Sequence, residues 1–158
     1  MDRTVQEIYG NRVRVRTCGL YQQDNQLLLV NHHGLYNRDF WAPPGGGLEF
    51  GQSATSNLER EFLEETGLTV KAGEFLFACE FIQPPLHAIE LFFDVIAAKG
   101  SHQVGKDPEM GTNEQIIRQV KYFSDSEIND ILETHKHGLF RVAKSIEKIR
   151  ALRGYLNI

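Results

Sequence analysis

The chain has 158 residues, 41% of them hydrophobic and 24% charged, with a formal net charge of −4 at pH 7. This is globular composition at a length that supports one domain with a full apolar core, read here as spanning residues 1–158. The negative balance excludes a protein that grips nucleic acid through a broad basic face, and leaves room for a small anionic ligand whose charge is met by metal ions.

Cys18 and Cys79 are too few and too far apart for a disulfide framework or a zinc site, and read as buried, reduced thiols. The N-terminal Met-Asp-Arg-Thr-Val-Gln lacks the basic start and apolar run of a signal peptide. The most apolar window, residues 88–98, is interrupted by Glu90 and Asp94 and is too short to span a bilayer. A cytoplasmic protein with no membrane partner is expected.

Residues 12–16 alternate Arg and Val, the period of a half-buried strand that continues through Leu20. Asp24-Asn25 favours a turn. Residues 26–31 then carry Leu27, Leu28, Leu29 and Val30 in succession, a strand buried on both faces. After a polar loop, Phe40-Trp41-Ala42 reads as a short strand ended by Pro43-Pro44, with Phe40 and Trp41 packed into the core. Ser53 caps a helix over residues 54–66 and Gly67 ends it in a left-handed conformation. Leu58 and Phe62 mark its buried side.

Residues 69–71, 74–82 and 87–98 read as strands, 100–113 as a polar loop, and 116–123 as another strand. Ser124 and Glu127 have the spacing of a capping box for a helix to about Thr134. Residues 139–152 have the period of one amphipathic helix, with Val142, Ile146, Ile149 and Leu152 inward. Its outer face, with Arg141, Lys144, Lys148, Arg150 and Arg153, is basic and solvated, and a homodimer contact is conceivable there. His32, His33, His135 and His137 fall on loops and element ends with no ligand spacing, and are expected to face solvent.

The chemistry concentrates on residues 45–68. Glu61, Glu64 and Glu65 share one helical turn, where each close like-charge pair costs on the order of 0.2–0.5 kcal/mol. A divalent cation turns that repulsion into ligation, because Mg²⁺ and Mn²⁺ prefer hard oxygen donors. Gly45, Gly46 and Gly47 let the backbone approach phosphates and offer a carbonyl to a metal.

Loop and helix together resemble the Nudix box of the Nudix hydrolase family. That pattern runs Gly, five residues, Glu, seven residues, then Arg-Glu-apolar-x-Glu-Glu-x-Gly-apolar. Gly46 opens it here, and Arg60, Glu61, Phe62, Glu64, Glu65, Gly67 and Leu68 complete it. Gln52 stands where the family has its first Glu, keeping an oxygen donor but losing a charge. The approach Trp41-Ala42-Pro43-Pro44-Gly45 is similar to the family's, and the order of elements is similar through Ser124 and the helix after it.

The resemblance implies an α/β/α sandwich with a mixed β-sheet. It also implies Mg²⁺- or Mn²⁺-dependent hydrolysis of a nucleoside diphosphate linked to another moiety. On this reading the metal ligands are Glu61, Glu64, Glu65 and the carbonyl of Gly46, joined by Glu114 from a later loop, with Glu109 as second choice. Glu61 and Glu64 are the catalytic candidates, the base that deprotonates water being one of the box glutamates or a glutamate outside the box, and Arg60 holds a box carboxylate in place. Gly45, Gly47 and Arg38 contact the small nucleotide substrate. Arg14 and Arg16 could do the same, although arginines in strands are more often exposed.

Pro84-Pro85 lies near where the ADP-ribose-cleaving branch carries a proline, and no tyrosine stands between Leu68 and Tyr122 for the dinucleoside-polyphosphate pattern. ADP-ribose or a nucleotide sugar is therefore the first substrate class. A (deoxy)nucleoside triphosphate of the house-cleaning kind follows it. A non-catalytic nucleotide sensor and an isoprenoid diphosphate isomerase are the other uses of such a scaffold.

Overall fold

Leu27 and Leu29 point to one side of their strand and Leu28 to the other, so this segment joins two apolar layers. In the computed structural model, which describes residues 3–33, 38–105 and 117–158, those layers are distinct cores. Leu28 packs with Leu58, Phe62, Val70, Phe93 and Val95. Leu27 and Leu29 pack with Phe77, Phe92, Phe123, Phe140, Ile146 and Ile149.

The order of elements is α1 (Arg3–Tyr9), β1 (Val13–Leu20), β2 (Gln22–Gln23), β3 (Gln26–His32), β4 (Trp41–Ala42), β5 (Gly45–Gly47), α2 (Ala54–Thr66), β6 (Thr69–Gln83) and β7 (Leu86–Lys99). There follow β8 (Ile117–Phe123), α3 (Asp125–Asp130), a 3-10 turn (Glu133–His135), α4 (Leu139–Val142), α5 (Ile146–Arg150) and β9 (Gly154–Leu156). One sheet runs β5-β1-β7-β6-β9 and a second joins β2, β3, β4 and β8. The first is mixed: β1 lies parallel to β7 and β9 parallel to β6, while the other pairs are antiparallel. Helix α2 covers one side and α3 to α5 the other, which is the sandwich expected from sequence.

Asp24 and Asn25 both take positive φ, 49° and 59°, the geometry a two-residue hairpin needs. Residues 69–83 form one strand instead of the two expected. Its register against β7 slips between Lys71 and Phe77, where Gly73 admits a bulge.

The C-terminal helix read as continuous over 139–152 is two short helices. Ala143 is extended (φ −134°, ψ 129°), and the Ser145 side chain caps α5 by accepting the Lys148 N–H at 3.3 Å. The Ile146 N–H goes to Asp125 Oδ1 at 2.7 Å, in place of a helical carbonyl. Val142 is consequently 46% exposed, whereas Ile146 and Ile149 are buried. Helix α3 likewise stops at Asp130, four residues short of the expected end, because Ile131 is extended. Helix α1 and strand β9 carry too little periodicity to be read from sequence.

Candidate active site

The three glycines of β5 add an edge to β1, with Arg16 opposite Gly47, Thr17 opposite Gly46 and Cys18 opposite Gly45. Gly45 admits no side chain, and one at Gly46 would displace the Glu61 carboxyl. A Cβ at Gly45 would stand 2.1 Å from the Thr17 carbonyl oxygen, and one at Gly46 would stand 2.1–2.4 Å from the Glu61 carboxyl atoms. The loop backbone and the helix carboxylate are therefore in direct contact.

Helix α2 is placed by its ends and its apolar side. Ser53 Oγ accepts the Ser56 N–H at 3.2 Å, and Gly67 closes the helix at φ 74° with its N–H on the Leu63 carbonyl. Leu58 and Phe62 are fully buried, Phe62 lying against Gly19 and Val95. This orientation brings Glu61, Glu64 and Glu65 to the wall of a cavity of about 740 Å³, which Gly45, Gly46 and Gly47 also line. Arg14 and Arg16 line it too. Arg38 is not among the lining residues; it lies in the segment ahead of Phe40, which is. Glu114 and Glu109 lie outside the described residues.

Arg60 organises the acidic wall. Its guanidinium donates to Glu64 Oε2 at 2.8 Å, to Glu61 Oε1 at 2.9 Å and to Asn57 Oδ1 at 2.8 Å, with Glu49 at 3.4 Å. Gln52 accepts from Arg60 Nε at 3.4 Å and donates to Glu49 at 3.1 Å, so it sits on the outer side of that cation. Glu65 Oε2 accepts the Gly45 N–H at 2.9 Å. Burial, reinforced by the charge of Glu64, pushes the Glu61 carboxyl up to about 7 in spite of Arg60. Among the described residues, no three His, Cys, Asp or Glu side chains already converge as a metal-holding group. The reason is visible in the same contacts: Arg60 spans Glu61 and Glu64, while Glu65 is turned to the loop.

Several residues in and behind the cavity wall escaped the sequence reading. Asn57, fully buried, ties α2 to β1 through Thr17 Oγ1 at 2.8 Å and accepts the Glu49 N–H at 3.3 Å. Arg16 is largely buried, against the expectation of exposure, and bonds Glu90 and the Gly45 carbonyl. His137 and His32 are buried, not solvent-facing. His137 lies 2.7 Å from Glu90, while burial and the nearby Arg16 charge drive His32 down to about 3, keeping it neutral. The available signal was Glu90 itself, a charge in the middle of an apolar strand. Cys18 and Cys79 are buried free thiols, and burial pushes both up, which keeps them protonated.

The basic C-terminal side chains are partly engaged: Arg150 grips Asp94 at 2.7 Å and 2.9 Å, and Arg153 reaches Glu74 at 3.0 Å. No helix among the described residues is long and apolar enough to cross a membrane.

Comparison with known proteins places the chain in a family. The chain is 30% identical over 95 residues to an ADP-ribose pyrophosphatase of Methanocaldococcus jannaschii, covering 59% of this chain and 56% of that one. It is 35% identical over 92 residues to the m7GpppN-mRNA hydrolase NUDT17 of Danio rerio, covering 54% of this chain and 31% of that one. The matched stretch thus spans between 31% and 56% of the length of the curated relatives. In fold, the chain is similar to the MutT protein of Methanosarcina mazei Go1, with a TM-score of 0.68 at 18% identity over 88% of this chain and 94% of that one. The family model for the NUDIX domain matches residues 10–142, more than half of the chain, and the chain belongs to that family.

Proposed function

We propose that this protein hydrolyses a pyrophosphate bond in a nucleoside diphosphate linked to another moiety, with ADP-ribose or a nucleotide sugar as substrate class and Mg²⁺ or Mn²⁺ as cofactor. The observation that carries the reading is the shared wall. Three glutamates of one helical turn and a three-glycine edge line the same cavity, and Glu61 touches the Gly46 backbone. A cavity of about 740 Å³ lies in the size range of small-molecule sites. The archaeal relative, an ADP-ribose pyrophosphatase, supports the substrate class.

The donor set fits a hard divalent cation. Glu61, Glu64, Glu65 and the Gly46 carbonyl offer only oxygen, and a carboxyl raised by burial gains from a nearby cation. When bound, such an ion neutralises phosphoryl charge and lowers the pKa of water. The chain supplies the rest. Gly45 to Gly47 present backbone to the phosphates without side-chain obstruction. Arg60 holds Glu61 and Glu64 at fixed positions. Those two carboxylates divide ligation and proton acceptance between them.

A screen of nucleotides with Mg²⁺ and with Mn²⁺, products identified by mass, tests the reading. Cleavage of ADP-ribose or a nucleotide sugar to two monophosphate products is expected, and preferential turnover of nucleoside triphosphates would move the substrate class. Glu64→Gln should lower kcat by at least about 100-fold, on the order seen when a catalytic contact is removed, while the thermal midpoint holds. Full activity in that variant would remove the acidic wall from the mechanism.

A further inference from the structure

Beneath the cavity lies a second ionic assembly that the proposed reaction does not use; Arg16 and His137 reach the cavity wall, and Glu90 stands behind them. Glu90, on β7, is only 1% exposed. Its Oε1 accepts from Arg16 Nη1 at 3.1 Å and its Oε2 lies 2.7 Å from His137 Nε2. The Leu139 N–H points at His137 Nδ1 at 3.2 Å, so Nδ1 is the acceptor and Nε2 carries the proton that goes to Glu90. The other Arg16 nitrogen, Nη2, donates to the Gly45 carbonyl at 2.7 Å. From the opposite side, Gly45 donates its N–H to Glu65 at 2.9 Å.

Gly45 is thus clamped at both polar groups, by a cation from the floor and by a carboxylate of α2. The clamp has a clear need. Three consecutive glycines have no side chains to pack and the largest conformational freedom of any residue, so hydrogen bonds hold their direction: the ladder to β1, and at Gly45 the Arg16 and Glu65 contacts as well. Stability alone is a poor account of the assembly, because well-packed apolar groups hold a core as well as a buried ion pair does, or better. The next residue, Gly46, lies in contact with the Glu61 carboxyl, so a rotated Gly45 peptide would carry Gly46 out of register with the carboxylates.

We infer that Glu90, fixed by His137, is a positioning residue for the glycine loop: it aims Arg16 at the Gly45 carbonyl and so sets the loop backbone against the α2 carboxylates. The inference rests on the role of that loop proposed above. Glu90 touches no substrate. It acts through Arg16, whose planar fork can serve a carboxylate and a carbonyl together.

Glu90→Gln keeps the volume but leaves one acceptor oxygen for two donors, so either Arg16 or His137 loses its partner. Three readouts separate positioning from bulk stability. The ¹H–¹⁵N shifts of Gly45, Gly46 and Gly47 should move while those of residues 69–71 stay. Mn²⁺ affinity, read by electron paramagnetic resonance without nucleotide, should weaken about 10-fold, as expected when the support of a ligand set is removed. With substrate, kcat should drop by about 10–100-fold with KM altered far less. His137→Phe is the second variant. It keeps the ring stacked on Phe81, 6.0 Å away, removes the donor to Glu90 together with the acceptor of the Leu139 N–H, and should shift the same glycine amides.

Glycine amides and Mn²⁺ affinity unchanged in both variants would overturn the positioning role, as would a general loss of amide dispersion in both. A wild type that cleaves no nucleotide, yet whose glycine amides answer to Glu90→Gln, overturns the proposed reaction and keeps the positioning role. Normal turnover with silent variants does the reverse.

Discussion

Glu61 shows how one residue can be poorly placed for stability and well placed for chemistry. Its carboxyl is mostly buried beside Glu64 and against the Gly46 backbone, and stands at about 7 where an unfolded glutamate stands at 4.5. The folded state therefore binds the proton more tightly than the unfolded state does. The stability this contributes is complete below about pH 4.5 and is lost as pH rises through 7. In metal-free protein the thermal midpoint should consequently fall between pH 5 and pH 8, with Glu61 contributing on the order of 5–10 °C. Glu61→Gln should flatten the fall, and Mn²⁺ should restore the midpoint at pH 8. A midpoint that rises over that interval in the wild type and in Glu61→Gln alike would contradict this placement. The three carboxylates and Arg60 were legible in the sequence because they lie close together on one helix. Glu90, Arg16 and His137 were not, because their meeting depends on β1 lying parallel to β7 and on the chain returning under the sheet after α3.

Local signals predicted elements well where a cap or a turn residue dictates the backbone. The boundaries of α2 follow from Ser53 and Gly67, and the β2–β3 hairpin follows from Asp24 and Asn25. They failed where periodicity ran through a competing cap. Residues 139–152 have a helical period throughout, yet Ser145 accepts the Lys148 N–H and Asp125 takes the Ile146 N–H, so a new helix starts in mid-pattern. These two readings give opposite signs for one substitution. In a continuous helix Ser145→Ala would stabilise, since alanine has the higher propensity. At an N-cap it should cost about 1 kcal/mol, measured as a lower denaturant midpoint with an unchanged slope. A stabilised variant would restore the single helix.

At the scale of the molecule, two apolar cores share the strands between them, and the cavity lies where α2 and β5 meet the end of β1. Phe62 belongs to the α2 side, fully buried against Gly19 and Val95. Phe62→Ala should cost about 3–5 kcal/mol and also loosen the face that carries Glu61 and Glu65. Chemical denaturation would give the cost, and a fall in kcat at temperatures where the variant stays folded would give the second effect. Retained kcat would separate the packing of α2 from the site.

By itself the sequence determined the acidic helix, the glycine edge facing it and the class of chemistry these imply, because each depends on residues close along the chain. Tertiary structure alone decided that Arg16, Glu90 and His137 stand beneath that edge. Arg16 reads as a surface residue and His137 as a loop residue until pairing of distant strands removes both from water. Once there, a buried charge must find its partners, and the partners available are one another and the carbonyl of Gly45.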